Sequence, residues 1–374
     1  MAEPTSHEPS RGSLPGRSPL LPTLGRPEVD LSVALCTWRG ERWIRTFLQS
    51  VAAQDRLPDE LVVQDDASDD GTVAAVREFA RSAPFEVHLE VNEVRVGSTA
   101  NFALALERCR GRYIALADQD DVWYPAKLER LAAELDLDPT VTLAFSDADL
   151  IGEDGRLLGR RLWDTRLVGR TLRRHPVVPE ELFARQALTT GCTVMIRRRV
   201  AEAALPFPPE LAHPSAPMRH DRWLSLVAAA VGTVRALPEP LLGFRLHQGQ
   251  ETGVLVGPAL ITALRRAAAG VLTDPDDEHV DGLRGRAAQL EVAAQRADLL
   301  GDFAEATALR RVADGNLLRA EVSQRGIRGL RSIRRASRQG AYPVSGPGVG
   351  SIAADVVRVL RPGALRRRAE VGTS

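Results

Sequence analysis

An α/β fold, with a mostly parallel central sheet and helices on both faces, is predicted by three features of this 374-residue sequence. Short apolar runs alternate with stretches of helical periodicity from residue 31 onward. Several of those runs are continuous rather than alternating, as in strands buried on both faces. Two of them end directly in acidic clusters, at the strand ends where ligands of parallel sheets bind.

Residues 1–28 (MAEPTSHEPSRGSLPGRSPLLPTLGRPE) are rich in Pro, Ser and Gly without periodicity and read as a disordered leader. The main domain is expected over 29–254. LSVALCT (31–37) is the first buried strand, and Ile44, Phe47, Leu48 and Val51 then recur at i, i+3, i+4 and i+7, which predicts an amphipathic helix. ELVVQ (60–64) is the next strand, ended by DDASDDGT; Val73, Val76 and Phe79 mark the following helix. EVHLEV (86–91) alternates, a helix around NFALALERC follows, and YIALA leads into the cluster DQDD.

The second half is less regular. TLAFSDADLI (142–151) predicts a strand, EDGR a hairpin turn, and TTGCTVMIRR (189–198) a strand entered through Gly191. HDRWLSLVAAAVG (220–232) predicts a helix with Asp221 in its first turn, and PLLGFRLHQGQETG (240–253) a strand running into a Gly-rich loop with Arg245 and His247. A helical Arg-rich extension is expected over 255–342, then a flexible break and a basic helix over 343–374.

Composition narrows the class. Hydrophobic content of 44% and charged content of 26% suit a soluble globular protein. The zero formal charge hides a basic tail, in which Arg325, Arg328, Arg331, Arg334 and Arg338 form one helical stripe beside Ile327, Leu330 and Ile333. Such a helix suits an anionic membrane surface, or a solvated or partner-binding face. Without aromatic interleaving or a recognised motif, nucleic acid is not expected as a partner. Cys36, Cys109 and Cys192 are too far apart for a disulfide framework or a thiolate metal site. No apolar run reaches the roughly 18 residues of a spanning helix, and no signal-peptide pattern opens the chain. A cytoplasmic protein, peripheral on the inner membrane face through its basic tail, is the expectation.

Four groups of side chains could carry chemistry. Asp118, Asp120 and Asp121 crowd the end of a buried strand, where carboxylates either bind a cation such as Mg²⁺ or Mn²⁺ or form an acidic helix start. Asp65 and Asp66 could accept hydrogen bonds from a nucleobase or ribose, leaving Ser68, Asp69, Asp70 and Gly71 to turn and cap. Asp221 is a candidate general base or a plain helix-start acid. His247 is a candidate metal or phosphate ligand, or a histidine satisfied by hydrogen bonds.

In order and spacing, LSVALCTWRGERWIRTFLQSVAAQ, DELVVQDDASDDGT, GRYIALADQDDVWYPAKLE, TTGCTVMIRR, HDRW and FRLHQGQETG resemble the family 2 inverting glycosyltransferases of the GT-A nucleotide-diphospho-sugar transferase fold. The DQDDVW wording looks most like bacterial rhamnosyltransferase-type members. The resemblance covers about 31–253. It implies that Thr37 and Arg39 lie in a nucleotide-contacting turn and that Asp65 and Asp66 bind the base. It implies Asp118 near the ribose, Asp120 and His247 at a divalent metal (Mg²⁺ or Mn²⁺), and Asp221 as the base. Asp121 is left to cap the helix beginning near Pro125. The implied reaction moves a sugar from dTDP-rhamnose or a UDP-sugar to a saccharide or lipid-linked saccharide acceptor in cell-surface polysaccharide synthesis. Trp38 stands where the family often has Tyr, and Arg222 where an aromatic is common. The rival readings are a nucleotidyltransferase acting on sugar phosphates, which should show a basic Gly-rich phosphate loop, and an inactive sugar-nucleotide-binding scaffold, which would lack the base.

Overall fold

The computed structural model describes residues 29–165, 172, 189–250 and 276–324. The expected leader, the 251–275 stretch and the basic tail from 325 lie outside the described residues. Strands β1 (Leu31–Thr37), β2 (Glu60–Asp65), β3 (Glu86–Val91) and β4 (Tyr113–Asp118) alternate with helices α1 (Ile44–Ala52), α2 (Thr72–Ala80) and α3 (Ser98–Arg108). These match the predicted elements closely because each strand's apolar run is fully used. Leu31, Val33 and Leu35 are at most 1% exposed, a burial that contributes about 1.5 to 3 kcal/mol per side chain.

The four strands are parallel in the order β3, β2, β1, β4. Their register decides what comes next. Thr37 pairs with Asp65, and Cys36 with Asp118, so the ends of β1, β2 and β4 stand level at one edge. β3 is the sheet's outer strand, which explains why its sequence alternates while the inner three do not.

Beyond β4 the structure departs from the sequence reading in detail. A two-residue strand, β5 (Val122–Trp123), intervenes before α4 (Lys127–Leu137). Asp121 therefore caps nothing: the residue before α4 is Ala126, with no side-chain cap. β6 (Val141–Ile151) and β7 (Leu157–Arg161) form the hairpin that EDGR predicts, turning at Gly155 with φ 82°. β8 is confined to Val194–Arg197, with Gly191–Thr193 in a 3₁₀ turn, followed by α5 (Arg198–Ala204) and α6 (His220–Ala230). β9 (Thr233–Arg245) starts well before the predicted 240. Pro238 and Pro240 conceal it in the sequence, and it accommodates them where its pairing with β6 shifts register.

Among the described residues the sheet runs β3-β2-β1-β4-β8-β6-β9-β5, with β7 on β6. β8 is antiparallel to both neighbours, while β6 and β9 are parallel to each other. The mostly parallel α/β sheet with its covering helices is thus as predicted. Helices α7 (Asp276–Leu300) and α8 (Phe303–Gln324) form the extension. Their Ala and Leu faces, including Leu290, Ala293, Ala297 and Leu309, join the same buried core as the sheet and pack on α6. No helix among the described residues is long and apolar enough to cross a membrane.

Candidate active site

The level strand ends make one wall of a cleft, and the start of α6 with the loop after β9 makes the other. Thr37, Asp66, Asp118, Asp120, Asp221 and His247 all line it. Arg39 and Asp65 do not. The Arg39 side chain turns outward into a two-bond pair with Asp69, at 2.7 and 2.6 Å. Asp65 is fully buried and serves the loop: it accepts the Thr37 hydroxyl at 2.6 Å and the Ser68 amide and hydroxyl at 2.8 and 2.7 Å. Architecture takes this carboxylate because three donors converge on it below the surface. Asp70, by contrast, caps as expected, accepting the amide of Thr72 at 3.0 Å as α2 begins.

Asp66 combines cleft lining with loop anchoring. It accepts Asn92 Nδ2 at 3.0 Å and the amides of Val96 and Gly97 at 2.7 and 2.8 Å, holding that loop beside the cleft. Arg95 from the same loop lies over the Trp38 ring, 3.5 Å from its centroid.

The DQDD segment divides its residues differently. Gln119 is a clamp: its amide accepts Trp38 N–H at 3.0 Å and donates to Trp38 O at 2.7 Å, joining the β1 and β4 loops. Only a glycine at 40 tolerates that clamp, since a β-carbon there would sit 2.1 Å from Gln119 Oε1. Asp121 is 1% exposed, and its Oδ1 accepts the Arg245 amide at 3.0 Å. Burial, then the charges of Asp120 and Asp118, push its carboxyl well up toward the protonated form.

Asp120 faces the cleft, and its Oδ2 lies 2.8 Å from His247 Nε2. The Gly249 amide donates to His247 Nδ1 at 3.2 Å, which orients the ring with Nε2 toward Asp120. The ring packs on Trp43 with centroids 4.2 Å apart. Asp118, Asp121 and Cys192 bring ligand atoms within 4.8 Å of one another. Burial raises the Cys192 thiol well above its usual range, and a thiolate is a soft ligand, whereas carboxylates suit Mg²⁺ and Mn²⁺. Asp118 and Asp120 offer the hard oxygen donors suited to Mg²⁺ or Mn²⁺, with the His247 imidazole beside Asp120.

Below this cluster lies Lys127, the chain's one lysine, fully buried. Its ammonium donates to the Cys192 carbonyl and sits 3.7 Å from the Trp123 centroid. Burial lowers its pKa to about 7. On the opposite wall, Asp221 occupies the first turn of α6, its Oδ1 accepting the Arg222 amide at 2.8 Å.

Sequence reasoning did not single out Gln119, Arg95, Phe102 or Arg219, all of which line the cleft. Gln119 carried a usable signal, an amide set between strand-end acids. The others arrive from loops whose approach only the tertiary fold determines.

Residues 32–203 match the family model described as "Glycosyl transferase family 2". An uncharacterised protein of Mycobacterium tuberculosis is 30% identical over 219 residues, covering 58% of this chain and 59% of that one. The chain thus spans under two thirds of that relative's length. A Bacillus subtilis protein named as a teichuronic acid biosynthesis glycosyltransferase, TuaG, is 28% identical, covering 58% of this chain and 79% of its own. The Escherichia coli UDP-Glc:alpha-D-GlcNAc-diphosphoundecaprenol beta-1,3-glucosyltransferase WfgD is 30% identical over 124 residues, 33% of this chain and 47% of its own. Among solved structures, S. aureus TarS 1-349 in complex with UDP-GlcNAc has a TM-score of 0.49 at 19% identity, covering 79% of this chain and 91% of that one. The similarity to glycosyl transferase family 2 thus runs through residues 32–203, which hold β1 to β4, the DQDD segment and β8.

Proposed function

We propose that the cleft transfers a sugar from a nucleotide-diphosphate donor to an acceptor hydroxyl, with inversion at the anomeric carbon. One observation carries the reading: Asp118 and Asp120 line the cleft from the strand-end wall, and Asp221 and His247 line it from the other. Acidic donors for a metal-bound diphosphate and a separate carboxylate base are what a single displacement needs.

In that reaction Asp221 takes the proton of the acceptor hydroxyl as its oxygen bonds to the sugar C1. The bond from C1 to the nucleotide diphosphate breaks, and its electron pair leaves with the diphosphate. Asp66, Trp38 and Thr37 line the side assigned to the nucleotide, and Asp118 is assigned to the ribose. Asp120 and His247 would hold Mg²⁺ or Mn²⁺, which when bound supplies positive charge to the diphosphate. Asp120 and the His247 ring already face one another in the cleft, which fits that role.

The printed names of relatives support the finer reading. WfgD uses UDP-Glc and a lipid-diphosphate-linked GlcNAc, and TuaG carries a name from teichuronic acid biosynthesis. We therefore place this chain in cell-surface polysaccharide synthesis, with a saccharide or lipid-linked saccharide acceptor and dTDP-rhamnose or a UDP-sugar as donor. Attraction of the 325–338 Arg stripe to anionic lipid would hold the enzyme at the inner membrane face. The nucleotidyltransferase alternative loses its phosphate-loop cation, because Arg39 is turned to Asp69. Thermal-shift measurements with UDP-, dTDP- and GDP-sugars, each with and without Mn²⁺, test the proposal. At least one donor should raise the unfolding midpoint only with metal. No response to any of them would contradict it.

A further inference from the structure

His220 is fully buried beside Asp221, yet it lines the cleft, and neither ring nitrogen has a hydrogen-bond partner among the described residues. Its plane is set by stacking on Phe102, with centroids 3.8 Å apart and planes 20° apart. Its Nε2 edge faces Gly191. A β-carbon at 191 would lie 3.0 Å from His220 Nε2 and 3.6 Å from Asp221 Cβ, so the glycine keeps open the space in front of both residues.

A neutral imidazole offers one donor and one acceptor, and leaving both unmet in a buried place costs folding free energy. Phenylalanine would keep the shape and the stack without that cost. The polar ring is therefore accounted for by a ligand group that meets it. Burial lowers its pKa to about 4, so the ring is neutral near pH 7 and adds no counter-charge beside Asp221. A sugar hydroxyl can meet the Nε2 edge in front of Gly191 as donor or as acceptor, whichever tautomer the ring takes.

Resting on the glycosyltransferase reading, we propose that His220 and Gly191 form a hydroxyl-recognition subsite for the sugar held against Asp221, and that His220 determines which sugar is accepted. The hydroxyl can belong to the donor sugar or to the acceptor sugar.

His220→Phe, His220→Gln and Gly191→Ala in the full chain test this. Without ligand, His220→Phe should unfold at the same temperature as wild type or higher; a clear fall would reveal a structural partner for the ring and overturn the proposal. In the donor arm, calorimetry with Mn²⁺ compares UDP-glucose, UDP-GlcNAc, dTDP-rhamnose and GDP-mannose with their bare nucleoside diphosphates. If the hydroxyl is the donor's, His220→Phe weakens the nucleotide sugar roughly three- to tenfold while leaving the bare diphosphate unchanged. In the acceptor arm, transfer to octyl glucoside, octyl rhamnoside and octyl N-acetylglucosaminide is measured. If the hydroxyl is the acceptor's, KM rises by a similar factor with kcat nearly kept. Gly191→Ala should affect the same arm, and His220→Gln, which keeps a neutral donor and acceptor, should recover part of the loss. Unchanged values in both arms would overturn the subsite while leaving glycosyl transfer intact. A wild-type protein that binds none of the four donors would instead remove the glycosyltransferase reading, and the subsite with it.

Discussion

The two acidic loops at the sheet edge, after β2 and after β4, share residue type and topological place yet do different work. In the first, Asp65, Asp69 and Asp70 are each consumed by a protein partner: Thr37 and Ser68, Arg39, and Thr72. In the second, the Asp120 carboxylate meets His247 among the described residues, and Asp121 is forced toward neutrality below it. Asp66 stands between the two cases, accepting Asn92, Val96 and Gly97 while still lining the cleft. Position relative to the cleft, and not the number of acids, separates the loops.

Substitutions in the two loops should break different properties. Asp120→Ala should lower transfer on the order of 100- to 1000-fold, with the fold intact by circular dichroism, and chelation by EDTA should reproduce the loss in wild type. Asp65→Ala should do the reverse. It strands one amide and two hydroxyls below the surface, and denaturant unfolding should show a loss of about 2 to 4 kcal/mol. If Asp65→Ala instead left stability intact and abolished donor binding, the division between the loops would be wrong.

A third test uses pH. His220 has its folded pKa lowered from 6.5 to about 4 by burial, so the unfolded chain takes up this proton first as pH falls. Its contribution is fully present above about 6.5 and is lost progressively toward pH 4. Stability curves of wild type and His220→Phe should diverge through that window, the variant declining less. The smallest effect belongs to Arg39→Ala: the pair with Asp69 is exposed, with side chains 53% and 63% accessible, and its removal should leave the unfolding midpoint and donor binding near wild type.

Legibility in the sequence follows burial on both sides. β1, β2 and β4 were readable to within a residue because a strand covered on two faces is a continuous apolar word with acids at its end. β9 was only half readable, since Pro238 and Pro240 argue against a strand and only the register shifts against β6 reconcile them. Asp66, Asp118, Asp120, Asp221 and His247 were found by residue type and position, and the cleft gathers them. Asp65 lies buried behind the cleft because neighbouring residues at a strand end point opposite ways, and nothing in QDDASDD tells which of two adjacent acids faces the cleft; Arg39 lies outside it because its side chain pairs with Asp69. Gln119 was passed over because its partner, the Trp38 backbone, is 81 residues away.

The proposal's centre is that Asp221 acts on the acceptor proton and not on the donor. Calorimetry and a transfer assay on Asp221→Asn, with a donor that wild type binds in Mn²⁺, test this together. The expected result is donor affinity within about twofold of wild type and transfer reduced by about 100- to 10,000-fold, the range of general-base loss. Near-normal turnover in Asp221→Asn would contradict the account.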